Sequence, residues 1–347
     1  MTSHGLVRGR SVLLSVVLAS GLHAADADAG DGVREINQVC ATVTGCFAGD
    51  AAGFPVTITT AGSHRLTSNL EVNAQTTAIL VDAPDVGLDL GGFAILGPND
   101  CTMTRDGVTG LPLSMACTAS GAGVGIDATS EAVGLRVRNG AIRGMGSHGI
   151  YRNGGIGGTV EDLVVRDNGG TGVGLQNGIV RRVEAQENGG LGILAVRVES
   201  CLVFENGYGV SIQGDRGAVL DGSTIDLNLG IGVTCGADGA TVVGSTIARS
   251  GDAGVVVSGG GEVNLVDNSI RENGGCGGDF PTGAGRASSV GGNSFLRNNR
   301  GGSCVGGGGQ NQLRGNVVAT GCNTITCETG TLKLGTFCPP TSVSCLP

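Results

Sequence analysis

The stretch VEDLVVRDNGGTGVGLQNGIVRRVEAQENGGLGILAVRVESCLVFENG, residues 160–207, repeats one short pattern: alternating apolar residues, an acidic residue, an asparagine and a glycine-rich corner. Anchored on the asparagine, the pattern runs through Asn168, Asn188, Asn206, Asn228, Ser250, Asn273 and Asn298, at spacings of 20, 18, 22, 22, 23 and 25 residues. A period near 20 with drifting loop lengths suits three short strands and three turns per repeat, and does not suit helices.

If such repeats stack, residues at equal offsets lie one strand spacing apart, about 4.8 Å, and each column should be chemically uniform. Three positions before the anchor stand Ile142, Val165, Ala185, Val203, Ile225, Ile247, Ile270, Phe295 and Val318. Eight before it stand Val137, Val160, Val180, Val198, Leu220, Val242, Leu265, Val290 and Leu313. Five before it the column passes from Leu163, Val183 and Cys201 through Ser223 and Ser245 to Asn268, Asn293 and Asn316, where stacked amides hydrogen-bond along the axis and so tolerate burial. These columns predict an all-β fold, a single-stranded right-handed parallel β-helix of about ten rungs.

The grid extends backward, because Val86, Leu88, Leu90 and Ile95 match Val133, Leu135, Val137 and Ile142 at a constant offset of 47. One rung plus an insertion, roughly Pro98 to Gly123, explains that offset; the insertion is read as a loop closed by a Cys101–Cys117 disulfide. A second insertion, roughly Cys276 to Ser288, leaves from the same corner, with Cys304 on the following rung as a candidate partner for Cys276. Both decorations are expected on one side of the solenoid.

The ends read differently. Arg8 and Arg10, the apolar run Val12 to Leu22 and the small residues Ala24 to Ala27 have the layout of a cleavable secretory signal, assigned to residues 1–27. Open solenoid ends need caps, and residues 28–55, with Cys40 and Cys46, and 322–347, with Cys322, Cys327, Cys338 and Cys345, are placed to supply them around a β-helix at 56–321. The 12 cysteines are an even number for an oxidising compartment, which argues for several disulfides. Zinc is disfavoured, since no CxxC pair occurs and only His64 and His148 follow the signal. No later apolar stretch reaches the 18 or so residues of a membrane span. A net charge of −9 argues against nucleic acid and anionic membranes as partners. The expected location is extracellular or periplasmic.

The segments VTITTAGSHRLTSNLEV (56–72) and TAILVDAPDVGLDLGGFAILGP (77–98) resemble the opening coils of secreted right-handed parallel β-helix repeat proteins of the pectin lyase-like superfamily. DNSIRENGG (267–275) and GNSFLRNN (292–299) are similar to that family's generic coil. The resemblance covers most of residues 55–320 and implies the fold; the superfamily holds lyases, hydrolases, epimerases and adhesins, so it implies no one chemistry. The family's catalytic signatures do not appear. Of the hydrolase motifs only GSHGI (146–150) faintly matches the GHG element; the DPHD motif of mannuronan epimerases is absent, and a chain without tryptophan lacks the WIDH-type signature of pectate lyases. GGTGVG (169–174) and GGLGIL (189–194) match the glycines of calcium-binding nonapeptides but carry Gly174 and Leu194 at the aspartate place, so they are read as corners needing positive φ.

Charged columns supply the site candidates. Seven before the anchor, Arg138, Glu161, Arg181, Glu199 and Asp221 nearly alternate in sign and read as a solvated salt-bridge ladder. One before it, Asp167, Glu187 and Glu205 stack with like sign, which costs stability. They are read either as a row for a divalent cation or acid/base chemistry, or as side chains splaying into water beside Arg166 or Arg182. Arg143, His148, Arg152 and Arg166 on adjacent coils suit an acidic sugar. The candidate ligand-binding set is therefore Arg143, His148, Arg152, Arg166, Asp167, Glu187 and Glu205, with no catalytic residue assigned, no metal site and no cofactor apart from calcium as a candidate. With only Tyr151 and Tyr208 as stacking platforms, neutral glycans lose weight. Cys201 and Cys235 fall in inward columns and read as small core residues. The leading expectation is a secreted, non-catalytic solenoid binding an extracellular or envelope polysaccharide. A lyase or hydrolase with a divergent site is the alternative, and a structural or adhesive surface protein the next.

Overall fold

The computed structural model describes residues 32–298, except for positions 153, 155–156, 215–216, 237–238, 259–262 and 280–288, together with the strands Val305–Gly306, Gln312–Arg314, Val317–Ala319 and Leu332–Leu334. The expected signal peptide, Cys304 and the four cysteines of the C-terminal segment lie outside the described residues.

Each coil contributes one short strand to each of three parallel sheets, as Val219–Asp221, Thr224–Asp226 and Val233–Cys235 do in one repeat. We call these the first, second and third sheets. Stacked over about ten turns they form an all-β parallel solenoid with almost no helix. The eight-before column is the inward ladder of the first sheet from Val137 to Val290, and the three-before column that of the second from Ile142 to Phe295, with the strand register continuing to Leu313 and Val318. Each fully buried Val, Leu or Ile contributes about 1.5–3 kcal/mol of transfer free energy, and these columns repeat that term coil after coil.

Two bends per coil shape the cross-section, and both are carried by left-handed residues. Before the second sheet these are Asp162, Arg182, Ser200, Gly222, Gly244, Asp267 and Gly292, with φ from 51° to 68°. Before the third they are Asp167, Glu187, Glu205, Leu227, Arg249, Glu272 and Arg297, with φ from 45° to 58°. Such φ costs an L-residue of the order of 1–2 kcal/mol, and the next residue in the chain compensates. Where that residue is asparagine it turns inward and hydrogen-bonds to the same position one coil on. Asn168 Nδ2 donates to Asn188 Oδ1 (2.8 Å), Asn188 to Asn206 (2.8 Å), Asn206 to Asn228 (3.1 Å) and Asn273 to Asn298 (2.8 Å). The anchor asparagines, read from sequence only as heralds of a corner, are thus a fully buried amide ladder. The five-before column forms a second one, Asn268 Nδ2 donating to Asn293 Oδ1 at 2.9 Å.

Two sequence expectations need correction. The glycines of 169–174 and 189–194 do not take positive φ. Their bareness serves contact between coils: a Cβ on Gly169 would come within 2.4 Å of Gly146 O, and one on Gly189 within 2.5 Å of Gly169 O. The offset of 47 holds for the second sheet, where Ile95 pairs with Ile142, but in the first sheet Leu88, not Leu90, pairs with Val137. The bend at Leu90–Phe93, through Gly91 and Gly92, is two residues longer than the one at Asn139, so the strand ahead of it slips by one full side-chain alternation.

The Cys101–Cys117 and Cys40–Cys46 disulfides are present, and Cys201 and Cys235 are buried free thiols. Among the described residues no helix is long and apolar enough to cross a membrane.

Candidate functional site

Between Cys101 and Cys117 the chain leaves the solenoid as an antiparallel hairpin, Cys101–Arg105 against Pro112–Cys117, closed at its base by the disulfide. Asn99 ties that base down: its Nδ2 donates to Asp167 O (2.7 Å) and its Oδ1 accepts the Ala119 N–H (2.8 Å). The hairpin lies along the corner between the second and third sheets, and its Arg105 pairs with Glu205.

The hairpin resolves the like-charged row. Asp167, Glu187 and Glu205 occupy the left-handed bend on consecutive coils, so backbone geometry sets their alignment. Each meets a different partner. Glu205 meets Arg105; Asp167 meets Arg166 at 3.5 Å and accepts from the Cys101 N–H; Glu187 accepts from Gln186 Nε2 at 3.1 Å. Burial pushes the Asp167 carboxyl above its ordinary range, with Arg166 and the Cys101 N–H opposing. Glu187 is raised by burial and then by the charge of Asp167, the repulsion expected of like neighbours. Among the described residues no three His, Cys, Asp or Glu side chains converge to hold a metal ion.

Beside the hairpin base a cleft of about 380 Å³ opens onto the second sheet, lined by Asn99, Asp100, Arg143, Arg166 and Asp167. Arg143 and Arg166 are directly in register on its wall, their backbones one strand spacing apart. Arg143 is exposed and makes no ion pair among the described residues. Asp167 offsets part of the charge of Arg166, and the exposed Arg143 beside it keeps donors free for carboxylates or sulfates on a bound chain.

The structure separates the other two members of the expected basic cluster. His148 lies on the third sheet's side, its ring stacked on Tyr151 with centroids 4.5 Å apart and its Nδ1 accepting the Thr171 N–H at 2.9 Å. Burial lowers its pKa, and the nearby Asp127 carboxylate opposes. Arg152 points inward, in the column between Ala128 and Leu175, and is 4% exposed. Its Nη1 donates to Gly157 O, while Nε and Nη2 have no partner among the described residues and burial lowers its pKa. One strand position thus separates outward Tyr151 from inward Arg152, which residue type alone did not reveal. Asn99 and Asp100 were missed because their insertion has no repeat partner to align with.

The seven-before column is a charge ladder longer than expected: Glu35, Arg65, Asp89, Arg138, Glu161, Arg181 and Glu199 alternate in sign in register on the outer face of the first sheet. Arg138 pairs with Asp89 at 3.0 Å, and Arg181 and Arg182 with Glu161 at 2.7 and 2.8 Å.

The fold is a right-handed parallel β-helix. Residues 183–318 match the family model described as right handed beta helix region. The A-module of Azotobacter vinelandii mannuronan C-5 epimerase AlgE6 has a similar structure at 13% identity, with 89% of this chain and 90% of that one covered and a TM-score of 0.50. The A-module of the Azotobacter vinelandii enzyme AlgE4 follows at 14% identity, 90% and 88% coverage and a TM-score of 0.49. A Dettilon tailspike protein aligns at 13% identity over 81% of this chain and 57% of its own, with a TM-score of 0.42. Identities this low speak to fold alone. No curated protein matches the chain in sequence.

Proposed function

We propose that this protein is an exported, non-catalytic solenoid that binds an acidic polysaccharide of the envelope or surroundings in the cleft at the hairpin base. The observation that carries the reading is the in-register pair Arg143 and Arg166 on the wall of that cleft. A linear chain laid along the axis meets a new coil about every 4.8 Å, so successive acidic sugars would meet successive arginines. Two disulfides accord with an oxidising compartment, and the signal at residues 1–27 and the caps at 28–55 and 322–347 belong to the same proposal. An epimerase that acts on mannuronan shares the fold, which fits a polysaccharide partner.

The test is calorimetric titration of the full chain with uronate and neutral oligosaccharides, followed by analysis of chain length and unsaturated ends. Retention of uronate, weakened about tenfold or more by R143A with R166A, supports the reading. Shortened or unsaturated products would replace it with the lyase or hydrolase alternative. No binding of any glycan would leave the adhesive alternative.

A further inference from the structure

The chain has two tyrosines and no tryptophan; Tyr151 stands on the outer face of the third sheet, and the exposed Tyr208 stands where a strand of the same sheet begins, at its corner. The Tyr151 ring lies nearly parallel to His148, at 17°, and the pair rests over bare backbone of the next coil. A Cβ on Gly170 would come within 2.7 Å of His148 Nδ1, and one on Gly174 within 3.0 Å of Tyr151 Cδ2. Tyr208 does the same over Gly230, where a Cβ would sit 2.4 Å from its Cε1, and it remains 51% exposed. Glycines beside all three rings leave them room against the next coil, and the exposed ring of Tyr208 offers a surface on which a sugar can stack.

Their spacing is set by the coils. Ile150, Val173, Ile193 and Val210 are in register, and His148 and Tyr208 each stand two residues before the first and last of these. The two platforms are therefore three coils apart, about 14 Å along the axis, a distance a short extended oligosaccharide bridges. Beside the first platform Asp127 pairs in register with Tyr151 and supplies a carboxylate for sugar hydroxyls. With Nδ1 accepting from Thr171, a neutral His148 carries its proton on Nε2 and can donate it to a hydroxyl.

Charge selects the ligand. The outward column of this sheet holds no arginine or lysine from Leu80 to Asp279, while Asp127 and Asp279 belong to it. An anionic chain that suits Arg143 and Arg166 would find no counter-charge here.

We propose that the outer face of the third sheet, from His148 and Tyr151 to Tyr208, is a second binding site that takes an uncharged polysaccharide. Because both tyrosines lie in this site and no tryptophan masks them, tyrosine fluorescence of the full chain reports its occupancy directly. The probes are cellohexaose, mannohexaose and xylohexaose, with a uronate hexamer for comparison. A saturable change with a neutral hexamer is expected, and calorimetry should show Y208A and Y151A each weakening it up to about tenfold while R143A with R166A leaves it unchanged. Tyr208 is exposed, so Y208A folds even should Y151A fail, and far-ultraviolet circular dichroism checks both. No saturable response to any neutral hexamer, or a response indifferent to Y208A, overturns the proposal. Arginine-dependent binding of the uronate alone would overturn this site while leaving the cleft reading intact.

Discussion

Asn188 donates its side-chain amide to Asn206 Oδ1 across 2.8 Å, inside the solenoid and from one coil to the next. Asn206 links three coils, since its Oδ1 also accepts the Asn188 N–H at 3.0 Å and its Nδ2 reaches Ala185 O at 2.9 Å on one side and Asn228 Oδ1 at 3.1 Å on the other. The ladder converts a run of left-handed bends, each unfavourable alone, into a repeatable corner.

Replacing Asn206 with alanine removes the acceptor of the Asn188 N–H, one of the two acceptors of the Asn188 side-chain amide and the amide donor to the Ala185 carbonyl, all inside the buried ladder. Each unpaired buried group costs about 1–3 kcal/mol, so N206A should destabilise by at least about 2 kcal/mol. Urea unfolding checks this, with a surface change such as T224A in the following coil as the comparison.

Arg152 points the other way. A buried guanidinium with two unpartnered nitrogens holds stability below what an apolar side chain would provide there. R152M, of similar length, should raise the urea midpoint; a fall would show that Arg152 has a stabilising role that its contact to Gly157 O does not explain.

His64 makes the N-terminal coils sensitive to acid. It is 1% exposed and packs edge-on against Phe47 at 5.4 Å, and neither ring nitrogen meets a partner at hydrogen-bonding geometry. Burial and then Arg34 lower its pKa, while the nearby backbone of Gly62 and Gly87 opposes. Below about pH 6.5 the unfolded chain takes up a proton that the folded chain refuses, so stability falls as the pH drops, until the folded-state pKa is passed. The urea midpoint should decline between pH 7.5 and 5, and H64L should flatten that part of the decline.

The thiols of Cys201 and Cys235 are pushed up to about 11 and about 12 by burial. Thiolate is the reactive form, so neither should be alkylated by iodoacetamide in the native protein at pH 8, and both should react in urea. Peptide mapping distinguishes them from the other cysteines. Native labelling of Cys235 would mean that its core column opens.

The period, the two long apolar columns, the local disulfides and the inward cysteines were legible in the amino-acid sequence alone, because in a solenoid a residue's neighbour is the one a repeat away in the chain. That rule ceases to apply wherever a coil departs from the repeat. The extra residues at Leu90–Phe93 displaced Leu90 from the pairing its offset implied and put Leu88 there instead. The hairpin from Cys101 to Cys117 has no equivalent on other coils, so nothing in its sequence announced that it would lie over the acidic corner and bring Arg105 to Glu205. Arg143, Arg152 and Arg166 look alike in sequence, yet two line a cleft and one is buried, because strand alternation after each bend decides which side of the wall a side chain takes. Repetition makes packing local and therefore readable, whereas a binding surface is assembled from the side chains and insertions that break the repetition, and their placement depends on the whole stack.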